Sequence, residues 1–168
     1  MKIEEYKEKN LQPLRQATLC FLVRGDEILL AMKKRGFGKD RWNGVGGKPQ
    51  DGEKIEDAAI REAEEEIVVK PKYLRKVATL NFYFPHNPDW NNQVFVYFSE
   101  SWEGEPSETE EMSPKWYKKS EVPFASMWPS DIYWLPPVLD GKKIEAEFLF
   151  GQGDVVLDSK MREIESGT

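Results

Sequence analysis

The sequence predicts a single-domain α/β protein. Its 168 residues, 39% of them hydrophobic, are enough for one good core and match the usual size of one domain. Runs rich in β-branched, aliphatic and aromatic residues, typical of strands, lie on both sides of a segment with strong helix propensity. These strand-like runs are 18–23, 27–33, 73–83, 93–99, 115–117 and 143–150, with another from 155 onward.

The chain opens with a charged, aperiodic segment, residues 1–16, which predicts a partly ordered N-terminal extension before one domain at 17–165. The first two strand-like runs are separated by Arg24-Gly25-Asp26, a short turn with the glycine that a hairpin favours. A glycine-dense loop with several Lys and Arg residues follows at 33–47. Glycines let the backbone approach a ligand closely, and the cations provide charge for phosphates.

A helix is predicted from Ile55, because Ala and Glu predominate and no Gly or Pro occurs before Pro71. Within it, Ala59, Ala63 and Ile67 recur every fourth residue. Positions four residues apart lie on one helix face, so these three predict a buried stripe.

Three glutamates share the neighbouring face of this helix. Glu62, Glu65 and Glu66 stand at i, i+3 and i+4, and like charges so placed cost about 0.2–0.5 kcal/mol per pair. Taken alone, acidic runs indicate a solvated face. A compensating cation is the alternative, and oxygen ligands suit Mg²⁺ or Mn²⁺, which proteins commonly share with the phosphates of a substrate.

The flanking pattern decides between these readings. The pattern resembles the signature of the Nudix hydrolases. It consists of Gly47, five residues, Glu53, seven residues, Arg61-Glu62, a small apolar residue, one residue and Glu65-Glu66. The resemblance implies an α/β/α sandwich with a mixed β-sheet and metal-dependent cleavage of a diphosphate linked to another moiety. It also implies roles by position. The expected metal ligands are the carboxylates of Glu62, Glu65 and Glu66 and the main-chain carbonyl of Gly46, with Arg61 orienting the carboxylates and Glu53 orienting the site or acting on water. Glu111, from the acidic segment 102–114, is expected to supply an extra carboxylate.

Two positions depart from the family pattern. Ala63 replaces a large aliphatic residue, which removes packing and no chemistry. Val68 replaces a glycine that commonly ends the helix in the left-handed conformation. Because β-branched residues adopt that conformation poorly, we expect the helix to exit differently here.

A wider resemblance, from Thr18 to Glu163, is to the branch of this family that hydrolyses oxidised purine nucleoside triphosphates such as 8-oxo-dGTP. It is carried by the segments 32–38, 41–44, 127–129, 131–134 and 151–154. In that branch an Asn and acids bond the purine edge while aromatic residues stack on its faces. The implied substrate-binding residues are Asn43 and Asp131 for the base edge, Phe37, Trp128 and Trp134 for the pocket, Thr18 and Lys33 near the sugar or base, and Gly46 and Gly47 in the glycine loop.

The region 124–139 has a second interpretation from its residues alone. Ser130 or Asp131 would cap a helix through Leu139, with the tryptophans packed in the core. The branch has two adjacent aspartates where this chain has Ser130-Asp131, so acceptance of both oxidised guanine and oxidised adenine is in question. Val45 replaces a bulkier aromatic residue, which we expect to loosen the pocket.

Composition excludes several classes of protein. A formal charge of −6 and a pI near 5.0 argue against binding along nucleic acid polymers. Cys20, the single cysteine, lies in an apolar run and predicts core packing without an internal disulfide, and the lone His86 predicts no zinc site. No run approaches a membrane span and residues 1–16 do not resemble a signal peptide, so we expect a cytoplasmic protein, as a monomer.

Three alternatives remain open at this point. The same family includes enzymes for dinucleotides, nucleotide sugars and unmodified triphosphates. A non-catalytic nucleotide-binding module is a second alternative, although the signature acids are all present. Isomerisation of an isoprenoid diphosphate is a third, but it needs a cysteine aimed at an alkene, and Cys20 in the first strand is poorly placed for that.

Overall fold

The computed structural model describes residues 1–165 as a mixed α/β fold, which confirms the predicted fold class. The helices are α1 (Ile3–Lys9), α2 (Ile55–Ile67) and α3 (Asp131–Leu139). The strands are β1 (Arg15–Arg24), β2 (Glu27–Lys33), β3 (Trp42–Asn43), β4 (Lys70–Lys72), β5 (Arg75–Tyr83), β6 (Asn92–Ser99), β7 (Ser101–Glu103), β8 (Met112–Lys118), β9 (Lys143–Phe150) and β10 (Val156–Ile164). In this part of the chain, no helix has both the length and the apolar character needed to cross a membrane.

The main sheet has eight strands and mixed pairing. Its order is β10-β9-β5-β6-β1-β2-β3, and β8 also pairs with β2. β1 runs parallel to β6 and β5 parallel to β9, whereas the other pairs are antiparallel. The predicted hairpins β1–β2 and β9–β10 are both confirmed, and β4 and β7 form a separate two-stranded sheet.

Helices α2 and α3 pack on opposite faces of the sheet at β1. Alternate residues of this strand point to opposite sides, so Phe21 joins the core around α3 while Cys20 joins the core around α2. The predicted stripe of Ala59, Ala63 and Ile67 is buried against that second side. Since β1 contributes to both cores, it fixes the position of α2 relative to α3.

The N-terminal segment contains a short helix that the sequence did not predict. Helix α1 buries Ile3 and Tyr6 in a small cluster with Tyr83 and Leu149. These two apolar residues are spaced three apart and therefore lie on one helix face, which the charges around them obscure in the sequence. β1 begins at Arg15, two residues before the predicted boundary, and the division into extension and domain stays a prediction.

The exit from α2 also differs from expectation. Val68 does adopt the left-handed conformation, with φ 64° and ψ 29°, and its N–H bonds to Glu64 O. Contacts beyond the helix fix this geometry: Ile67 O accepts the Ser107 N–H at 2.9 Å, and Val68 O lies where a Cβ on Gly104 would be only 2.8 Å away. These contacts outweigh the local cost of a β-branched residue at positive φ.

Candidate active site

The glycine loop lies directly along β1. Thr18 N–H donates to Gly47 O at 2.8 Å, and Thr18 Oγ1 is 3.2 Å from both the N and the O of Gly47. A Cβ on Gly46 would meet Thr18 O at 1.9 Å, and one on Gly47 would meet the Glu62 carboxyl carbon at 2.5 Å. Position 46 therefore requires glycine, whereas a side chain at Gly47 would displace the Glu62 carboxylate, and the close approach brings the acids of α2 beside β1.

Arg61 organises the carboxylates at the start of the site. Its Nε and Nη2 donate to the two Glu53 oxygens at 2.9 and 3.0 Å, and Nη2 also donates to Lys48 O at 3.1 Å. Its Nη1 donates to Glu62 at 2.9 Å and to Glu65 at 3.2 Å. The hydrogen bonds from Arg61 lower the pKa of Glu53, which therefore stays ionised at neutral pH.

Glu66 is a buried carboxyl whose two oxygens are not both hydrogen-bonded. Only 5% of the residue is exposed, and its Oε2 has no hydrogen-bond partner among residues 1–165. Burial, together with the neighbouring Glu62 carboxyl, raises the pKa of Glu66 to about 8, while the charge of Lys33 and the backbone of Gly46 oppose this shift. Two adjacent carboxyls in a poorly solvated position are stabilised by a cation.

The predicted metal ligands are only partly assembled. Within residues 1–165, no group of three or more His, Cys, Asp or Glu side chains is arranged to hold a metal ion. Glu65 is directed to Arg61, and Glu111 pairs with Arg35 at 3.3 Å. Still, the buried Glu66 Oε2 and the all-oxygen donors fit a hard divalent cation better than any other group.

Next to these acids, a cavity of about 490 Å³ extends toward α3. Its mouth is aromatic: the Phe37 ring, on a residue 49% exposed, is centred 5.0 Å from both Trp90 and Trp128. Asn43 accepts the Gly44 N–H through its side-chain oxygen at 2.9 Å. All nine residues predicted to bind substrate line this cavity: Thr18, Lys33, Phe37, Asn43, Gly46, Gly47, Trp128, Asp131 and Trp134.

Buried polar atoms lie at the base of the cavity. Trp134 is fully buried against Phe21 and donates its indole N–H to Asp131 Oδ1 at 2.9 Å. Asp131 Oδ2 and Ser130 Oγ have no hydrogen-bond partner in the described part of the chain. Burial raises the pKa of Asp131 to about 7.

Helix α3 is confirmed, but the predicted capping is wrong, because in residues 1–165 Ser130 makes no side-chain cap bond and both side chains are buried.

A NUDIX domain model matches residues 13–137. The chain belongs to the Nudix family. It is 42% identical over 149 residues to the "oxidized purine nucleoside triphosphate hydrolase" of Mus musculus, covering 89% of this chain and 95% of that protein. The protein of the same name from Danio rerio is 40% identical over 148 residues, covering 88% and 94%. The MutT protein of Bacillus halodurans has the same fold, with a TM-score of 0.78, 24% identity and coverage of 88% and 97%. The predicted family is thus confirmed, and Nudix hydrolases generally need a divalent metal.

Val45 does not face the Nudix cavity, contrary to expectation. It pairs with Cys20 through N–H···O bonds of 3.0 and 2.6 Å, and its buried side chain packs with Ala59 and Ala63 of α2. The cavity lining does not include it. The predicted loosening of the pocket was wrong, because a smaller residue here changes the packing of α2 and leaves the cavity wall as it is.

Sequence reasoning missed two residues of this site. Arg41 stacks its guanidinium 4.1 Å from the centre of the Trp128 ring and pairs with Asp154 at 2.9 Å. Trp90 lines the cavity from the segment that connects β5 and β6. The available signals were an arginine beside the Trp42-Asn43 pair and a tryptophan in an otherwise polar loop.

Proposed function

We propose that this Nudix hydrolase converts purine nucleoside triphosphates with an oxidised base, such as 8-oxo-dGTP, to the monophosphate and pyrophosphate. One observation carries the proposal: a single cavity combines aromatic walls, polar atoms of Ser130 and Asp131 that are unpartnered within residues 1–165, and the glycines 46 and 47 of the glycine loop. That combination suits a planar base between the aromatic rings and phosphates at the glycine loop. The activity named for the mouse and zebrafish relatives supports the same substrate class.

Base recognition would use faces and edges separately. Phe37 and Trp128 offer ring faces for stacking, while Asn43, Ser130 and Asp131 offer hydrogen bonds to the base edge. A hydroxyl both donates and accepts, and a carboxyl with a pKa of about 7 is available in both protonation states near neutrality. A base that leaves one of these groups unpaired is penalised by about 1–3 kcal/mol.

The phosphates would lie at the glycine loop, where Mg²⁺, or Mn²⁺, is the proposed ion. Glu62, Glu65, Glu66 and the Gly46 carbonyl would hold it, with Glu111 as an additional carboxylate. When bound, a divalent cation neutralises phosphate charge and makes water a better nucleophile. Arg61 keeps Glu53 and Glu62 in position, and the Lys33 ammonium, whose charge already acts on Glu66, would attract the phosphates.

Substitution of Glu66 tests the site. Glu66→Gln should lower kcat by about 100-fold or more with Mg²⁺ present, because a buried anionic ligand is replaced by a neutral amide. Glu64→Gln, the same change on an exposed position of α2, is the matched control and should keep wild-type activity. Circular dichroism checks that both variants fold. A near-normal rate for Glu66→Gln would remove Glu66 from the site.

A substrate panel tests specificity. Hydrolysis with Mg²⁺ is followed by chromatography of the products on 8-oxo-dGTP, an oxidised adenine triphosphate, the ordinary triphosphates, a dinucleotide and a nucleotide sugar, because the last two yield two phosphate esters and no pyrophosphate. We expect the highest kcat/KM on an oxidised purine and loss of all activity with a chelator. Equal rates across the panel would refute the specificity, and no hydrolysis of any compound would favour a binding module. The cytoplasmic location, the monomeric state and the single domain at 17–165 stay predictions.

A further inference from the structure

Trp90 forms the part of the cavity wall that comes from a short helical turn at Pro88–Trp90. Its ring centre is 5.0 Å from that of Phe37, and it meets Phe84 edge to face at 5.6 Å. Because 39% of Trp90 is exposed, the core does not enclose the ring. Its position therefore depends on how the backbone of this turn is held.

Asn91 fixes that backbone through both ends of its amide. Its Oδ1 accepts the Phe84 N–H at 2.6 Å, and its Nδ2 donates to the Tyr6 hydroxyl at 2.9 Å. The backbone N–H of Asn91 closes the turn on Pro88 O at 3.0 Å. The orientation of the amide is determined by its partners, since the Phe84 N–H can only donate.

Helix α1, which carries Tyr6, is itself tied to the C-terminal strands. The Ile3 N–H donates to Asp158 Oδ2 at 2.9 Å, and Lys7 pairs with Glu147 at 3.2 Å. Ile3 and Tyr6 are both buried. The helix therefore offers the Tyr6 hydroxyl to Asn91 from a fixed position, and it lies before the residues 13–137 matched by the family model.

We propose that helix α1 is part of the substrate-binding apparatus, with Tyr6 as a positioning residue that acts through Asn91 to hold Trp90 against the bound base. The hydrogen bond from Asn91 to Tyr6 limits the movement of the Pro88–Trp90 turn, and Trp90 then closes the open side of the aromatic wall. This inference rests on the proposed function for the identity of the base, but the hydrogen-bonded link itself does not.

Two tyrosines in one cluster give a matched pair of hydroxyl deletions. Tyr6 and Tyr83 meet edge to face at 5.8 Å, yet the Tyr83 hydroxyl donates to Glu147 at 2.6 Å and has no bond to Asn91 within residues 1–165. Hydrogen exchange followed by mass spectrometry, without ligand, should show faster exchange of residues 84–92 in Tyr6→Phe than in wild type or Tyr83→Phe. Exchange at the wild-type rate in Tyr6→Phe would overturn the proposal.

Kinetics on 8-oxo-dGTP with Mg²⁺ give the second measurement. Tyr6→Phe should raise KM about threefold to tenfold, the range for one hydrogen bond, and leave kcat within about twofold. Tyr83→Phe should keep the wild-type KM. Trp90→Ala should raise KM further, and adding Tyr6→Phe to it should change nothing more.

The outcomes separate this inference from the proposed function. An unchanged KM in Tyr6→Phe, or effects of Tyr6→Phe and Trp90→Ala that multiply, would overturn the positioning role of Tyr6. If wild type releases no pyrophosphate from any nucleotide, the proposed function fails. In that case hydrogen exchange still decides whether α1 holds the Pro88–Trp90 turn.

Discussion

Asp131 should make the stability of the folded protein depend on pH, and Asp131→Asn should remove that contribution. Burial raises its pKa from an ordinary 3.8 to about 7, so between these values the folded state holds one more proton than the unfolded state. The contribution is fully present below the unfolded pKa and is lost as the pH rises through the folded pKa. One unit of pKa corresponds to about 1.4 kcal/mol, which gives about 2 kcal/mol between pH 5 and pH 7.

Urea unfolding of wild type and Asp131→Asn at several pH values measures this effect. The amide keeps an oxygen for the Trp134 indole N–H and cannot ionise. The variant should therefore gain about 2 kcal/mol relative to wild type between pH 5 and pH 7. The shift at Glu66 is common to both proteins and cancels in the difference. Parallel curves for the two proteins across this range would refute the reasoning.

Three further substitutions test the local geometry. Val68→Gly should raise the free energy of unfolding by about 1 kcal/mol in urea melts, because glycine adopts the left-handed exit from α2 without strain; lower stability would contradict this. Gly46→Ala should lower it by about 3 kcal/mol or more, since the new Cβ would meet Thr18 O at 1.9 Å; a wild-type melt would show that the loop moves freely. Arg41→Lys should raise KM about threefold in steady-state hydrolysis, because the planar stacking on Trp128 is lost while the charge remains; an unchanged KM would remove that role.

The parts of the fold that follow from local sequence were predictable. Spacing alone placed Ala59, Ala63 and Ile67 on the buried face of α2, and the turn at Arg24–Asp26 correctly indicated a hairpin. The role of Arg61 followed from the resemblance of the signature residues to the Nudix family, and its partners lie on α2 or in the adjoining loop. The aromatic cavity was predicted only from the family resemblance, because an isolated residue such as Phe37 does not indicate which other side chains it will contact.

The remaining features depend on contacts between distant parts of the chain. Tyr6 and Asn91 are 85 positions apart, and neither residue type predicts that the other is near. Val68 takes a conformation that its own side chain disfavours, at a point where Ser107, 39 positions later, bonds its N–H to the neighbouring Ile67 carbonyl. Val45 faced the opposite way from expectation because its pairing with Cys20 decides which side of β1 its side chain joins. Secondary-structure propensity is a property of each residue alone, whereas these features depend on contacts between two residues that are distant in the sequence.

The contact of the glycine loop with β1 limits where residues can be deleted from or inserted into this chain. The same short segment of β1 pairs with β6 on one edge and receives Gly46 and Gly47 on the other. Deleting a single residue from it would move the strand by about 3.3 Å and reverse the side chains that follow. The aromatic cavity and the glutamates of α2 would then both be displaced relative to β1, the strand that positions them. We therefore expect insertions to be tolerated better in an exposed turn away from β1, such as the one between α3 and β9, than in this segment.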